Sequence, residues 1–228
     1  RQGVGYSNID LIYSGLDRLP DKGEEIFARG FSMQFGGGIP ATMINLSRLG
    51  VESRIITFAG HDLFSEFVKK TLNSYPVKTV NLYKGNKMPV VLSSTLLYCG
   101  DRSFISYTDG MDLNDAVMDE VYENLKGAYV VDMHVGFLDV YKRLKKDGCI
   151  QIFDTGWEDD LTLEKYKDYL EIADYYIPNQ KEAMKITGTS SVEEAADILS
   201  EFFSDVTIKM DKEGCLLKNK DGIKIISS

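Results

Sequence analysis

The sequence predicts an α/β protein: a mostly parallel central sheet with helices on both faces, in three layers, and a small β-sheet standing off it as a lid. Two observations carry that expectation. From Ser53 onward, strand-length apolar runs alternate with helix-length amphipathic stretches, the order that builds a parallel sheet. Residues 9–35 and 88–108 break the rhythm with antiparallel, alternating character, which marks strands with one face open. All 228 residues are expected to form one such domain, cut at both ends, because the chain begins at Arg1 and finishes in a strand-like run, Ile223 to Ser228. The two alternating stretches are its lid segments.

The elements follow in order. From Phe27 to Phe35 the residues Phe27, Phe31, Met33 and Phe35 share one face with Arg29, and Ile26, Ala28, Gly30, Ser32 and Gln34 make the other. A helix follows. Pro40 suits its first turn, where a missing N–H costs nothing, and Ile39, Met43, Leu46 and Leu49 give the apolar stripe before Gly50 stops it. Ser53 to Ala59 reads as a strand, and Asp62 caps a helix through Tyr75. Val77 to Tyr83 is a short strand. Met88 to Tyr98 and Arg102 to Thr108 form a hairpin about Cys99-Gly100-Asp101. Then come helix Asn114 to Leu125, strand Ala128 to Asp132, helix Phe137 to Lys146, strand Cys149 to Asp154, helix Leu163 to Glu171 and strand Ala173 to Ile177. Helices Gln180 to Thr187 and Val192 to Phe203 precede strand Val206 to Met210. A last hairpin turns at Lys220-Asp221-Gly222.

Composition narrows the function classes. At 43% hydrophobic and 27% charged, the chain is an ordinary globular one. Its net charge of −9 argues against a nucleic-acid surface; the one basic group, Lys142, Arg143, Lys145 and Lys146, sits at a helix C-terminus and complements the dipole there. No apolar run reaches the roughly 20 residues of a membrane span. Cys99, Cys149 and Cys215 are widely spaced and form no C-x-x-C, so a reduced cytoplasmic setting is expected and a structural metal is not.

Residues 35–50 read FGGGIPATMINLSRLG, in which Gly36, Gly38 and Ala41 spell a dinucleotide-binding fingerprint. The strand before it alternates, whereas a dinucleotide-binding first strand is covered on both faces. The acidic residue wanted about 20 positions further on is also absent, because Ile55 to Gly60 offers none. The dinucleotide reading therefore ranks last. Open α/β sheets bind ligands beyond the carboxyl ends of their strands. Asn8, Asp10, Asp62, Asp132, Asp154, Asn179 and Glu182 all fall at such ends. Each has a local explanation: Asp62 is a good N-cap, Asn179 to Glu182 is a capping box, and Asp154 suits a turn. As a set they point to one pocket.

The ordered series resembles a known family. Gly5-x-x-Asn8-x-Asp10 comes first, then Pro20, Gly23 and Glu24, the glycine run Gly36-Gly37-Gly38, Ala59-Gly60-x-Asp62, and finally Pro178-Asn179-x-x-Glu182 with Thr187-Gly188. This is similar to the ribokinase-like, phosphofructokinase-B type (PfkB) carbohydrate kinases, in order over essentially the whole chain. The resemblance implies transfer of the γ-phosphate of ATP to a sugar hydroxyl, with Mg²⁺, on an α/β core closed by a β-lid. It implies that Asn8 and Asp10 hydrogen-bond sugar hydroxyls, which suits a carboxylate because it accepts from two hydroxyls at once. Gly36, Gly37 and Gly38 would let backbone approach the sugar. Asn179 and Glu182 would organise Mg²⁺ through its waters together with the ATP phosphates, and Lys209 begins the nucleotide-side turn.

Departures from the family pattern qualify this. Ala41 stands where the family has Asn, so one sugar contact is either absent or replaced by Thr42; Ser65 and Asp211 stand where it has glycine. Arg102 is the basic residue to watch for an anionic acceptor. The family's Gly-Ala-Gly-Asp, whose Asp is the general base, does not occur in the 228 residues and is expected beyond Ser228, so the chain as it stands is expected to be inactive. Two alternatives remain: a non-catalytic sugar- or nucleotide-binding relative, and a nucleoside or vitamin-alcohol kinase. Sugar and ATP are the expected small-molecule partners, and a homodimer through the lid is expected from the amphipathic strand.

Overall fold

The computed structural model describes residues 1–227, which form two compact units, residues 1–121 and the described residues from 122 onward. In the first, strands β1 (Gln2–Val4), β2 (Asn8–Leu16) and β3 (Gly30–Gly36) lead into helix α1 (Gly38–Arg48). Strand β4 (Ser53–Thr57), helix α2 (Leu63–Asn73) and strands β5 (Val77–Asn81), β6 (Val91–Tyr98) and β7 (Asp101–Tyr107) complete it. Strands β1, β4 and β5 run parallel, with Gly3 beside Ile55 and Ile55 beside Thr79. The other four make a separate sheet in the order β3-β2-β6-β7. Its β2–β3 and β6–β7 pairs are antiparallel and its β2–β6 pair is parallel.

The sequence dictates how these pieces meet. Ile9 and Leu11 alternate with Asn8 and Asp10 along β2, so one face of the four-stranded sheet is apolar at its base and the other polar. Ile9 joins Ile39, Met43, Ile44, Ile55, Val68 and Leu72 in one buried cluster. Each such side chain contributes about 1.5–3 kcal/mol when fully buried. The buried face of α1 runs Ile39, Pro40, Met43, Ile44 and Ser47, and Leu46 packs against the same cluster, so of the expected stripe only Leu49, 79% exposed, lies off it. Gly50 does end the helix, at φ +80°. Strand β3 begins only at Gly30. Residues 27–29, with Phe27 85% exposed, were expected to extend it and stay outside the strand.

Helix α3 (Asp115–Leu125) carries the chain into the second unit. There β8 (Val130–Met133), α4 (Leu138–Lys146), β9 (Ile150–Phe153), α5 (Leu163–Ile172) and β10 (Tyr175–Tyr176) alternate, and the three strands run parallel. Phe153 stacks on Tyr169 at 5.2 Å between centroids and meets Tyr166 and Tyr176, giving the unit an aromatic core. Helices α6 (Gln180–Thr187) and α7 (Val192–Leu199) precede strands β11 (Val206–Lys209), β12 (Cys215–Asn219) and β13 (Gly222–Ile226), an antiparallel sheet in that order. Helix α7 stops at Leu199 rather than Phe203. A Ser200 hydroxyl bond to the Asp197 carbonyl closes it, and Phe203 turns back against Tyr176.

Candidate functional site

The predicted acceptor residues lie in the first unit. Asn8 and Asp10 are alternate residues of β2 and share its polar face. Asn8 Nδ2 donates to Asp10 Oδ1 at 2.8 Å. Gly36, opposite Asn8 on β3, has a specific reason to be glycine. A Cβ there would stand 2.7 Å from Asp10 Oδ2 and 3.6 Å from Asn8 Nδ2. Gly37 has a different one: it sits at φ +100°, and a Cβ would press within 2.9 Å of the Tyr6 carbonyl. Nothing lies within 4 Å of a Cβ at Gly38, so that position is open. Thr42 donates its hydroxyl back to the Gly38 carbonyl at 2.9 Å, which leaves the oxygen's lone pairs as acceptors.

Burial pushes the Asp10 carboxyl above the usual range, against the Asn8 amide and the positive charge of Arg102. Arg102, on β7, therefore reaches the field of this carboxylate, although its guanidinium lies over the Phe104 ring at 5.6 Å. Sequence reasoning missed the neighbours. Asp10 is paired with Gln34 on one side and with Ser93 on the other, and Ser93 with Ser106. Ser93 Oγ lies 2.8 Å from Ser106 Oγ and donates to Asn8 Oδ1 at 3.3 Å. No local signal marked Ser93, because only the parallel register of β2 and β6 puts it on the face of Asp10.

The predicted nucleotide-side residues lie in the second unit. Asn179 caps α6: its side chain accepts from Glu182 N at 3.0 Å, and Glu182 Oε2 accepts from Asn179 N at 2.9 Å. Lys209, at the end of β11, bridges to Asn179 and donates its backbone N–H to the Pro178 carbonyl. Its ammonium pairs with Asp154 Oδ2 at 2.9 Å. Burial raises the Glu182 carboxyl, and Asp154 adds to that while Lys209 opposes it. The Asp154 carboxyl is also raised, chiefly by the loss of water on its protein side, with Lys209 opposing and Asp132 adding, although half of its side chain is exposed. Asp132 is 7% exposed. The α6 N-terminus, Lys209, Asp154 and Glu182 lie together, and these are group types that could hold a phosphate with its cation. Among the described residues no group of three or more His, Cys, Asp or Glu could hold a metal by itself. That donor set fits an ion brought in on phosphate oxygens and met by Glu182 through water.

Two departures from the expected pattern acquire explanations. Ser65 is built into the cap of α2: its hydroxyl donates to Asp62 Oδ2 at 2.6 Å and accepts from Gly60 N at 2.8 Å. Asp211 holds φ +54°, so it keeps the left-handed turn that a glycine would make, a conformation Asp tolerates better than most residues.

A family model, the pfkB family carbohydrate kinase, matches residues 3–228. The chain belongs to this family. It is 26% identical over 210 residues to an uncharacterized sugar kinase of Pyrococcus horikoshii, covering 84% of this chain and 65% of that protein. It is 20% identical to a ribokinase of Lactococcus lactis, over 98% of this chain and 74% of the relative. A deoxyribokinase of Salmonella typhi is 22% identical over 96% of this chain and 74% of its own length. Among solved structures, the ribokinase of Thermotoga maritima superposes with a TM-score of 0.77 at 21% identity, over 100% of this chain and 77% of that one. The Arabidopsis thaliana ribokinase complexed with ribose and ATP gives 0.75 at 21% identity, over 99% and 77%. These likenesses establish the ribokinase-like α/β fold with a parallel central sheet and a small, mostly antiparallel lid sheet. Among the described residues no helix is long and apolar enough to cross a membrane.

Proposed function

We propose that the protein takes part in ATP-dependent phosphorylation of a monosaccharide hydroxyl. The first unit would bind the sugar and the second the magnesium nucleotide. The observation that carries this is the Asn8–Asp10 pair. A carboxylate, with one oxygen already satisfied, lies beside a glycine whose missing Cβ leaves its other oxygen open. Such a group accepts from sugar hydroxyls without titrating. Gly37 and Gly38 would admit the sugar, and Thr42 and Arg102 are the further contacts on this side.

On the nucleotide side, Asn179 and Glu182 would hold magnesium waters, and Lys209 would exchange Asp154 for a phosphate oxygen. Bound magnesium neutralises charge on the transferring group. The protein's part is to position the phosphates and keep the cation on the polyphosphate. The 228 residues contain no Gly-Ala-Gly-Asp, the segment that would carry the general base. The apolar face of the four-stranded sheet, with Tyr13 on Phe31 at 5.3 Å and Phe31, Met33, Ile105 and Tyr107 exposed, would meet a second copy.

Calorimetric titration with a pentose and hexose panel, with and without a magnesium complex of a non-hydrolysable ATP analogue, tests the reading. At least one sugar and the nucleotide should bind at sub-millimolar to millimolar concentration, within the usual range of about 1 μM to 1 mM for substrates. A protein that binds neither would contradict it.

A further inference from the structure

The polar face of the four-stranded sheet carries a directed chain of hydrogen bonds. Ser93 is 4% exposed, and its hydroxyl has neighbours on two strands: Ser106 Oγ at 2.8 Å and Asn8 Oδ1 at 3.3 Å. An amide oxygen can only accept, so the Ser93 proton goes to Asn8. Ser93 is then left with lone pairs, and the Ser106 hydroxyl donates to it. Because Oδ1 of Asn8 faces Ser93, Nδ2 faces Asp10 and donates to its Oδ1 at 2.8 Å. The chain ends on the carboxylate. Asp10 Oδ2 remains, pointing to the space that a Cβ at Gly36 would fill, and Asn8 retains its second N–H.

We infer that Ser93 is a positioning residue that fixes the orientation of the Asn8 amide, so that Asn8 and Asp10 present one donor and one acceptor side by side to a pair of neighbouring hydroxyls on the acceptor. This rests on the sugar-binding reading above and makes it more specific. The substrate class it selects is a vicinal diol, with one hydroxyl accepting from Asn8 Nδ2 and the next donating to Asp10 Oδ2. Without the Ser93 hydroxyl, nothing on the β6 side holds the amide oxygen. The group then rotates about its last torsion, and its N–H ceases to be a fixed donor. Ser106 acts one step further out, by holding the Ser93 proton in the productive direction.

The test is a set of binding titrations of D-ribose, D-fructose and the singly deoxygenated forms of each into wild type, Ser93→Ala, Ser93→Thr and Ser106→Ala. Thermal melts check that every variant is folded. Wild type should bind a parent sugar about tenfold more tightly than the analogue lacking the hydroxyl that meets Asn8, the size expected of one such bond. In Ser93→Ala the parent should weaken by about that factor while the analogue changes little, so that discrimination collapses. Ser93→Thr, which keeps the hydroxyl, should restore it, and Ser106→Ala should show a smaller loss in the same direction. Equal weakening of parent and analogue in Ser93→Ala, or no change in either, would overturn the inference and leave the sugar reading intact. A wild-type protein that binds no sugar of this set or of the wider pentose and hexose panel would instead remove the sugar reading, and the inference with it.

Discussion

At the residue scale, the site depends on a few carboxyls whose surroundings differ. Asp10 is set by burial, which holds its carboxyl above the ordinary value of 3.8. As the pH falls through that raised value the acceptor becomes a donor, so sugar affinity should decline at a higher pH than an exposed Asp would give. Titrations between pH 4 and 7 check this, and an affinity constant over the whole range would contradict it. Asp62 behaves oppositely. Burial alone would raise it, but the Ser65 hydroxyl and the N–H groups of Phe64 and Ser65 outweigh that and hold it low. The stability it gives is present above its unfolded pKa and is lost as the pH falls through the folded one. Replacing Asp62 with Ala should cost about 1 kcal/mol at neutral pH, the usual size of a lost cap. The difference from wild type should shrink in acid melts. These two aspartates were visible as residues in the sequence. The cap around Asp62 was legible too, because its partners lie within three residues, whereas the burial of Asp10 was not, because it depends on which distant strands lie beside it.

At the element scale, α6 shows how a local rule and a functional proposal can share residues. The Asn179–Glu182 capping box is complete, as the spacing predicts, and the helix spans the expected Gln180–Thr187. Glu182→Gln keeps an acceptor for the Asn179 N–H and removes the charge. Stability should therefore stay within about 0.5 kcal/mol of wild type, as for other substitutions that break no contact. Magnesium–nucleotide affinity should fall several-fold. A variant with unchanged nucleotide affinity would reduce Glu182 to a capping residue. The same local rules placed most strands and helices within a residue or two. They failed where tertiary packing decides: the exposed Leu49 at the end of α1, the late start of β3 and the early end of α7. The Ser93–Asn8 contact was beyond them for another reason. It joins residues 85 positions apart through a parallel pairing register that no local pattern encodes.

At the scale of the whole molecule, membership of the pfkB family and the ribokinase-like fold were legible from an ordered series of weak motifs. The series is informative because an α/β chain brings successive strand ends to common edges. Acceptor identity was not legible, and Gln34, Ser93 and Ser106, the side chains that the register sets in line with Asp10, lie outside every motif. The exposed apolar sheet face makes a prediction of its own. Sedimentation velocity at micromolar concentration should show a dimer, and Phe31→Asp should shift it to monomer. A wild-type monomer would contradict the proposal for that face. The account's central claim is that Asp10 receives the acceptor sugar, and one comparison tests it most directly. The tightest-binding sugar of the panel is titrated into wild type and Asp10→Ala, both shown to be folded. Loss of a charged hydrogen-bond acceptor should weaken binding by at least about tenfold. Equal affinity in the two proteins would contradict the assignment.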